Sequence, residues 1–333
     1  MNKLIYILSI GILLTACKKD SPEQGNISSI NVGSGGVLIG SEGNFQFGNA
    51  SLSHYDDEKG EITADIFEST NGYKLGDVLQ SIQERQGLLY LVMNNSSTVQ
   101  VIDKYTFASK GSITGFNSPR YFLPVSNSKA YVTDLYANSI SIVDLNTLES
   151  TKSIQVNGWT EELVMIYGKV FVCNKGNDQV YVIEAETDLL VDSITVSDAP
   201  TSILEDKNGL LWVLCKNSLH KIDPVSLSLS QSYALNTSSY ASQLKINGTG
   251  DTLYFLNNGV FQFPIGDSTI PGSPIIEAGS TSFYGLGVDP VSGDIYVSDA
   301  IDYIQKSKIF LYTSGGALKS SFLSGINTSF FYF

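Results

Sequence analysis

The chain has 333 residues, of which 42% are hydrophobic and only 16% charged, with 30 Gly, 18 Tyr and 16 Phe. That composition can bury a large core and is not the composition of a disordered chain. The formal net charge is -13 with only 20 Lys and Arg, which excludes a phosphate-backbone partner, because such surfaces need clustered cations.

The first segment reads Lys3, then the apolar run LIYILSIGILL, then Leu14-Thr15-Ala16-Cys17. The run is too short for a stable bilayer span and small residues precede a lone cysteine, so a cleaved secretory signal is expected over residues 1–16. Leu14-Thr15-Ala16-Cys17 resembles the lipobox of bacterial lipoproteins. That resemblance implies lipidation of Cys17, diacylated on its thiol and then acylated on its amine with chains such as palmitate. Two or more chains anchor a protein on a membrane where one does not. Lys18 stands where Asp is associated with inner-membrane retention, so the expected address is the outer membrane, at the cell surface, with its periplasmic face left open. Residues 17–35 read as the acylated cysteine and a tether, since KKDSPEQGN lacks apolar residues altogether.

From residue 36 to 333 one cassette recurs. The residue opening each second strand is Tyr90, Tyr131, Phe171, Trp212, Tyr254 or Tyr296, at steps of 41, 40, 41, 42 and 42 residues. Leu38 is an earlier member, separated by a longer step that an insertion around Glu68 to Asp77 absorbs. Seven copies of a four-strand unit near forty residues predict an all-β fold, a seven-bladed β-propeller in one domain, because a lone twisted sheet cannot bury both faces unless neighbours stack on it. The first copy supplies VLIG, ASLSHYD and EITADIFES but no preceding inner strand. The C-terminal INTSFFYF at 326–333 fits that place, so the ring is expected to close by pairing the last strand with the first three, leaving no open edge.

Cys173 and Cys215 near the ends of adjacent second strands are expected as buried free thiols. A disulfide is the alternative, disfavoured by the separation of corresponding strands in neighbouring blades. His54 and His220 fall in strands of different blades, and neither a nucleophile–base pair nor a metal-ligand spacing is visible. No catalytic residue, metal or cofactor is expected.

Tyr131-Val132-Thr133-Asp134 and Phe171-Val172-Cys173-Asn174 resemble YVTN-type β-propellers, a group that carries a fold more than a function. Ser41-Glu42-Gly43-Asn44, Asn71-Gly72-Tyr73-Lys74-Leu75-Gly76-Asp77, Ser118-Pro119-Arg120-Tyr121 and Thr160-Glu161-Glu162 resemble the surface lipoprotein propellers that include the cobalamin-capturing lids of TonB-dependent corrinoid transporters. Trp159 departs from that pattern, standing where relatives often have Pro. The resemblance implies a non-catalytic protein that captures a small molecule, a corrinoid as the leading choice, for a TonB-dependent transporter. A scaffold or adhesion propeller at the outer membrane is the alternative, followed by a lactonase-like or quinoprotein-like enzyme.

In a propeller the starts of the inner strands and the loops after the second strands share one face. The expected ligand-binding residues there are Glu42, Asn44, Phe45, Gln80, Arg120, Tyr121, Trp159, Glu161 and Tyr284, aromatic planes mixed with a few charged and hydrogen-bonding groups. Asn94, Asp134, Asn174, Asn257 and Asp299 recur after the second strands, a pattern that suits turn capping at least as well as ligand contact.

Overall fold

The computed structural model describes residues 36–235 and 239–333; the expected signal segment 1–16 and the expected acylated Cys17 and tether, residues 17–35, lie outside them. Among the described residues no helix is long and apolar enough to cross a membrane. The strands form seven four-stranded antiparallel sheets. Blade 4 shows the regular plan: inner strand Thr160–Ile166, then Lys169–Asn174, Gln179–Glu184 and outer strand Leu189–Thr195.

Burial follows this order. Second strands such as Lys169–Asn174 are buried nearly throughout, because a blade packs on each side of them, and their sequences are accordingly continuous apolar runs. Outer strands such as Leu189–Thr195 expose all but one residue. Alternate residues of a second strand enter opposite interfaces: Val170 and Val172 join the core shared with blade 3, Phe171 and Cys173 the core shared with blade 5. Seven such clusters fill the junctions between successive blades. Cys173 and Cys215 sit in the cluster between blades 4 and 5 as buried free thiols, as expected. Burial pushes the Cys215 thiol up to about 12.

The ring closes as the sequence implies. Thr328–Tyr332 pairs with Val37–Ser41 to complete the sheet containing Ser51–Asp56 and Glu61–Thr63. A buried hydroxyl lattice secures it: Ser41 Oγ lies 2.8 Å from Thr328 Oγ1, Ser298 Oγ donates to the Thr328 carbonyl at 2.5 Å, and Thr328 N donates to Ser307 Oγ at 3.0 Å. Gly287 permits the junction, since a Cβ there would lie 2.6 Å from that of Phe331. One expectation is corrected. EITADIFES is not an outer strand throughout; only Glu61–Thr63 pairs, and Ile66–Asn71 is a helix. Asp65, at φ 51, turns the chain inward. Ile66 and Phe67 are thereby buried in the junction of blades 1 and 2, where apolar burial outweighs continued pairing of a short edge strand.

Candidate functional site

The inner-strand starts and the adjoining loops enclose a cavity of about 850 Å³ on the axis, lined from all seven blades. Blade 1 contributes Glu42, Gly43, Phe45 and, through the closing segment, Asn327; blade 2 contributes Val78, Gln80 and Asn94; blades 3 and 4 contribute Arg120, Tyr121, Glu161, Glu162 and Lys175. Blades 5 to 7 add Asp198, Thr201, Lys216, Tyr240, Gln243, Phe283 and Tyr284, among others.

One part of the wall is an internally satisfied polar lattice. Arg120 donates from Nε and Nη2 to the two carboxylate oxygens of Glu161, each at 2.9 Å, and from Nη1 to Gln80 Oε1. The Ser81 hydroxyl also donates to the Arg120 carbonyl at 2.8 Å. These bonds lace the inner strands of blades 2, 3 and 4 together. A bidentate guanidinium–carboxylate pair this enclosed holds both side chains in one geometry. Glu161 is only 2% exposed, so it depends on Arg120 for its compensation.

Other lining groups are less committed. Glu42 is held by backbone bonds from Glu42 N to the Asn327 carbonyl at 3.0 Å and from Val78 N to its own carbonyl at 3.1 Å. Its carboxylate accepts the Tyr284 hydroxyl at 2.9 Å, and burial pushes the carboxyl above its usual range, opposed by that hydrogen bond. Lys175 Nζ rests 3.8 Å from the centre of the Trp159 ring, and Lys216 Nζ 4.1 Å from that of Tyr240. Burial lowers the Lys175 pKa. Glu162 accepts the Ile203 N–H at 3.1 Å; burial raises its pKa to about 6 against the pull of Lys245. Tyr121 and Glu162 also line a smaller cavity of about 180 Å³ further along the axis, with Lys245 and Phe330.

Of the nine expected residues, Glu42, Phe45, Gln80, Arg120, Tyr121, Glu161 and Tyr284 line this one cavity. Asn44 and Trp159 do not. Asn44 points away, donating from Nδ2 to the Tyr303 carbonyl at 2.7 Å and bonding with Asn49. Trp159 supports the wall from behind, its ring beneath Lys175 and 5.8 Å from the Arg120 guanidinium, with Nε1 buried and without a partner among the described residues. Several of the recurrent Asn and Asp residues do cap turns: Asp134 Oδ1 accepts Tyr136 N at 2.9 Å and Ala137 N at 3.0 Å, Asp299 Oδ1 accepts Ile301 N at 2.9 Å, and Asn174 Oδ1 accepts Asn177 N at 3.1 Å, whereas Asn94 Nδ2 donates to the Pro119 carbonyl of the next blade at 3.0 Å. Lys216, Asp198 and Asn327 escaped notice because each lies in a loop, and Gln243 sits at the start of the inner strand Ser242–Ile246; the signal for Lys216 was its place in the repeat, 41 residues after Lys175.

Away from this lining, His220 Nε2 lies 2.7 Å from Ser197 Oγ and 3.0 Å from Ser218 Oγ, while Nδ1 lies 2.8 Å from Ser232 Oγ. The Ser197 N–H also points to Nε2 at 3.3 Å, which assigns the lone pair to Nε2 and the proton to Nδ1. The sequence has no sign of this Ser–His contact, since Ser197 arrives from the loop before blade 5. Among the described residues no group of His, Cys, Asp and Glu is arranged to hold a metal.

The model of a domain of unknown function, DUF5074, matches residues 35–332. The chain belongs to the DUF5074 family. No curated protein matches it. Among solved structures, this DUF5074 propeller superposes on a quinonprotein alcohol dehydrogenase-like protein from Bacteroides thetaiotaomicron with a TM-score of 0.72 at 18% identity, covering 90% of this chain and 78% of that one. A protein from Lactobacillus plantarum gives a TM-score of 0.71 at 13% identity over 89% and 98% of the two chains. A 6-phosphogluconolactonase candidate from Bacteroides uniformis gives 0.70 at 13% identity, again over 89% and 98%. At such identities the likeness is one of fold.

Proposed function

We propose that this propeller is a non-catalytic capture protein of the outer membrane, anchored through Cys17, that takes a bulky and partly apolar small molecule into the axial cavity. The observation that carries the reading is the cavity itself: about 850 Å³, contributed by every blade, with Phe45, Tyr121, Tyr240, Phe283 and Tyr284 beside a few charged groups. Size and composition both match those of ligand sites. A corrinoid is the leading ligand and a TonB-dependent transporter the leading partner, on the resemblance of the Ser41–Asn44, Ser118–Tyr121 and Thr160–Glu162 segments. A corrin is a broad ring edged with amides, which suits aromatic planes beside Gln80, Gln243 and Asn327.

Calorimetry of cobalamin and cobinamide against the detergent-extracted full chain tests this, repeated with Phe45→Ala and Tyr240→Ala. Both side chains are exposed, at 61% and 69%, so neither change threatens the fold, and each is expected to weaken binding about tenfold. Absence of heat at high-micromolar ligand rejects the corrinoid, and undiminished binding in both variants rejects the cavity as its site. A second reading is favoured by Phe47 and Tyr136, exposed at 73% and 70% and outside the cavity lining: these aromatics suit a protein partner. Co-purification with a transporter supports capture, and co-purification with an assembly or adhesion machine supports a scaffold.

A further inference from the structure

The repeat locates one position with unusual contrast. Four residues after the periodic residue of each second strand, Leu38, Tyr90, Tyr131, Phe171, Trp212, Tyr254 or Tyr296, stand Glu42, Asn94, Leu135, Lys175, Lys216, Asn258 and Ala300, in blades 1 to 7. Only three of these are charged, and all three line the axial cavity. In a ring of seven, blade 1 faces the junction of blades 4 and 5. The same repeat position therefore places a carboxylate on one wall and two ammonium groups on the wall across from it.

These charges are available. Neither Lys175 nor Lys216 takes part in an ion pair among the described residues; each is held on an aromatic face instead. Glu161, the nearest carboxylate of blade 4, is engaged by both arms of Arg120. Asp198 lines the same wall as Lys216, with one oxygen accepting the Asn217 amide at 3.0 Å. Across the cavity, the Glu42 carboxylate accepts the Tyr284 hydroxyl at 2.9 Å and has the Ser329 hydroxyl as a further neighbour; burial disfavours its charged form, so a donor or cation arriving there relieves that cost. Lysines pinned on rings lose less freedom when an anion binds than free ones do.

We propose that the axial cavity selects dipolar ligands, with a phosphate or carboxylate on the Lys175 and Lys216 wall and an ammonium or other hydrogen-bond donor against Glu42. This rests on the reading of the cavity as a ligand site. Tyr121, Tyr240 and Tyr284 provide the apolar surface for the body of such a ligand between its charged ends.

Three probes with a common skeleton separate the ends: O-phosphotyramine carries both charges, 4-ethylphenyl phosphate only the anion, tyramine only the cation. Each is titrated calorimetrically into the detergent-extracted full chain, its Lys175→Gln/Lys216→Gln variant and its Glu42→Gln variant, all first checked for an unchanged cooperative thermal transition. The expected order is O-phosphotyramine tightest and tyramine weakest. The double lysine variant is expected to lose about tenfold or more on both phosphates with tyramine unchanged, and Glu42→Gln to lose the advantage of O-phosphotyramine over 4-ethylphenyl phosphate. Equal affinity for the three probes, or an unchanged order in both variants, overturns the charge axis and leaves the cavity reading standing. Failure of all three to bind at millimolar concentration also overturns the axis, and cobalamin calorimetry on the same sample then reports whether the cavity reading falls with it.

Discussion

Blade 1 and blade 4 have the same four-stranded plan, yet they are built in opposite ways. Blade 4 is one continuous stretch, Thr160 to Thr195, each strand paired with the next. Blade 1 takes its inner strand from the other end of the chain, pairing Ile39 with Phe331, and replaces most of its outer strand with a helix. Local pairing makes the strand ladder of blade 4 independent of ring closure, although its faces still pack on blades 3 and 5, whereas the ladder of blade 1 is complete only when the ring is closed. The contrast extends to chemistry: blade 4 brings Lys175 and the Glu161 partner of Arg120 to the cavity, and blade 1 brings Glu42 on a backbone held by the closing segment.

The largest effect comes from breaking blade 1 itself. Ending the chain after Asn327 removes Phe330, Phe331 and Tyr332 from the two junctions of that blade. Phe331 is buried and Phe330 and Tyr332 are half-buried; with about 3–5 kcal/mol for a buried aromatic lost and less for each half-buried one, and the pairing of Val37–Ser41 gone as well, the sum is comparable to the whole stability of a domain. Loss of a cooperative thermal transition is expected; a melt like that of the full chain would mean that closure contributes little.

Arg120→Ala tests the corresponding dependence of blade 4. It leaves the Glu161 carboxylate buried without compensation, an expected loss of about 3–5 kcal/mol, read by denaturant unfolding. Adding Glu161→Gln should recover part of that loss; no recovery would show that the lattice acts through packing alone. Thr328→Val is milder, since it keeps the shape of the closing strand and removes the hydroxyl that meets Ser41. The expected cost is about 1–3 kcal/mol, and a cost near zero would assign closure to apolar packing.

The smallest effect is a pH dependence in blade 4. Glu162 titrates at about 6 in the fold against an ordinary 4.5. Below pH 4.5 the carboxyl is protonated both folded and unfolded, so its burial carries no ionisation penalty there. Between 4.5 and 6 the unfolded chain releases the proton first, and the fold loses about 1–2 kcal/mol, a loss that is complete above 6. Glu162→Gln should therefore melt increasingly above wild type as pH rises from 4 to 7. A constant difference across that range would show that Glu162 ionises normally.

How much of this was legible without coordinates divides along the same line. The strand count, the period and the closing role of INTSFFYF follow from the chain alone, because each second strand must be apolar on both faces while the outer strands stay largely exposed. The terminal aromatics had no other sheet to enter. Seven of the nine expected site residues meet in one cavity for the same reason: a repeat position has the same place in every blade. What escaped depends on side-chain direction and on neighbours distant in sequence. Trp159 turns behind Lys175, and Asn44 turns to Asn49 and Tyr303. The helix Ile66–Asn71 forms because a junction, not a strand partner, was available to Ile66 and Phe67. The His220 contacts need Ser197 and Ser232 from outside its strand. Periodic burial admits one way of stacking, so the ring is readable from the order of residues. Folding then sets which charges are paired within the protein, as in Arg120 and Glu161, and which face the cavity, as in Glu42, Lys175 and Lys216. That choice is made by contacts between blades and across the axis, which no local pattern of residues records.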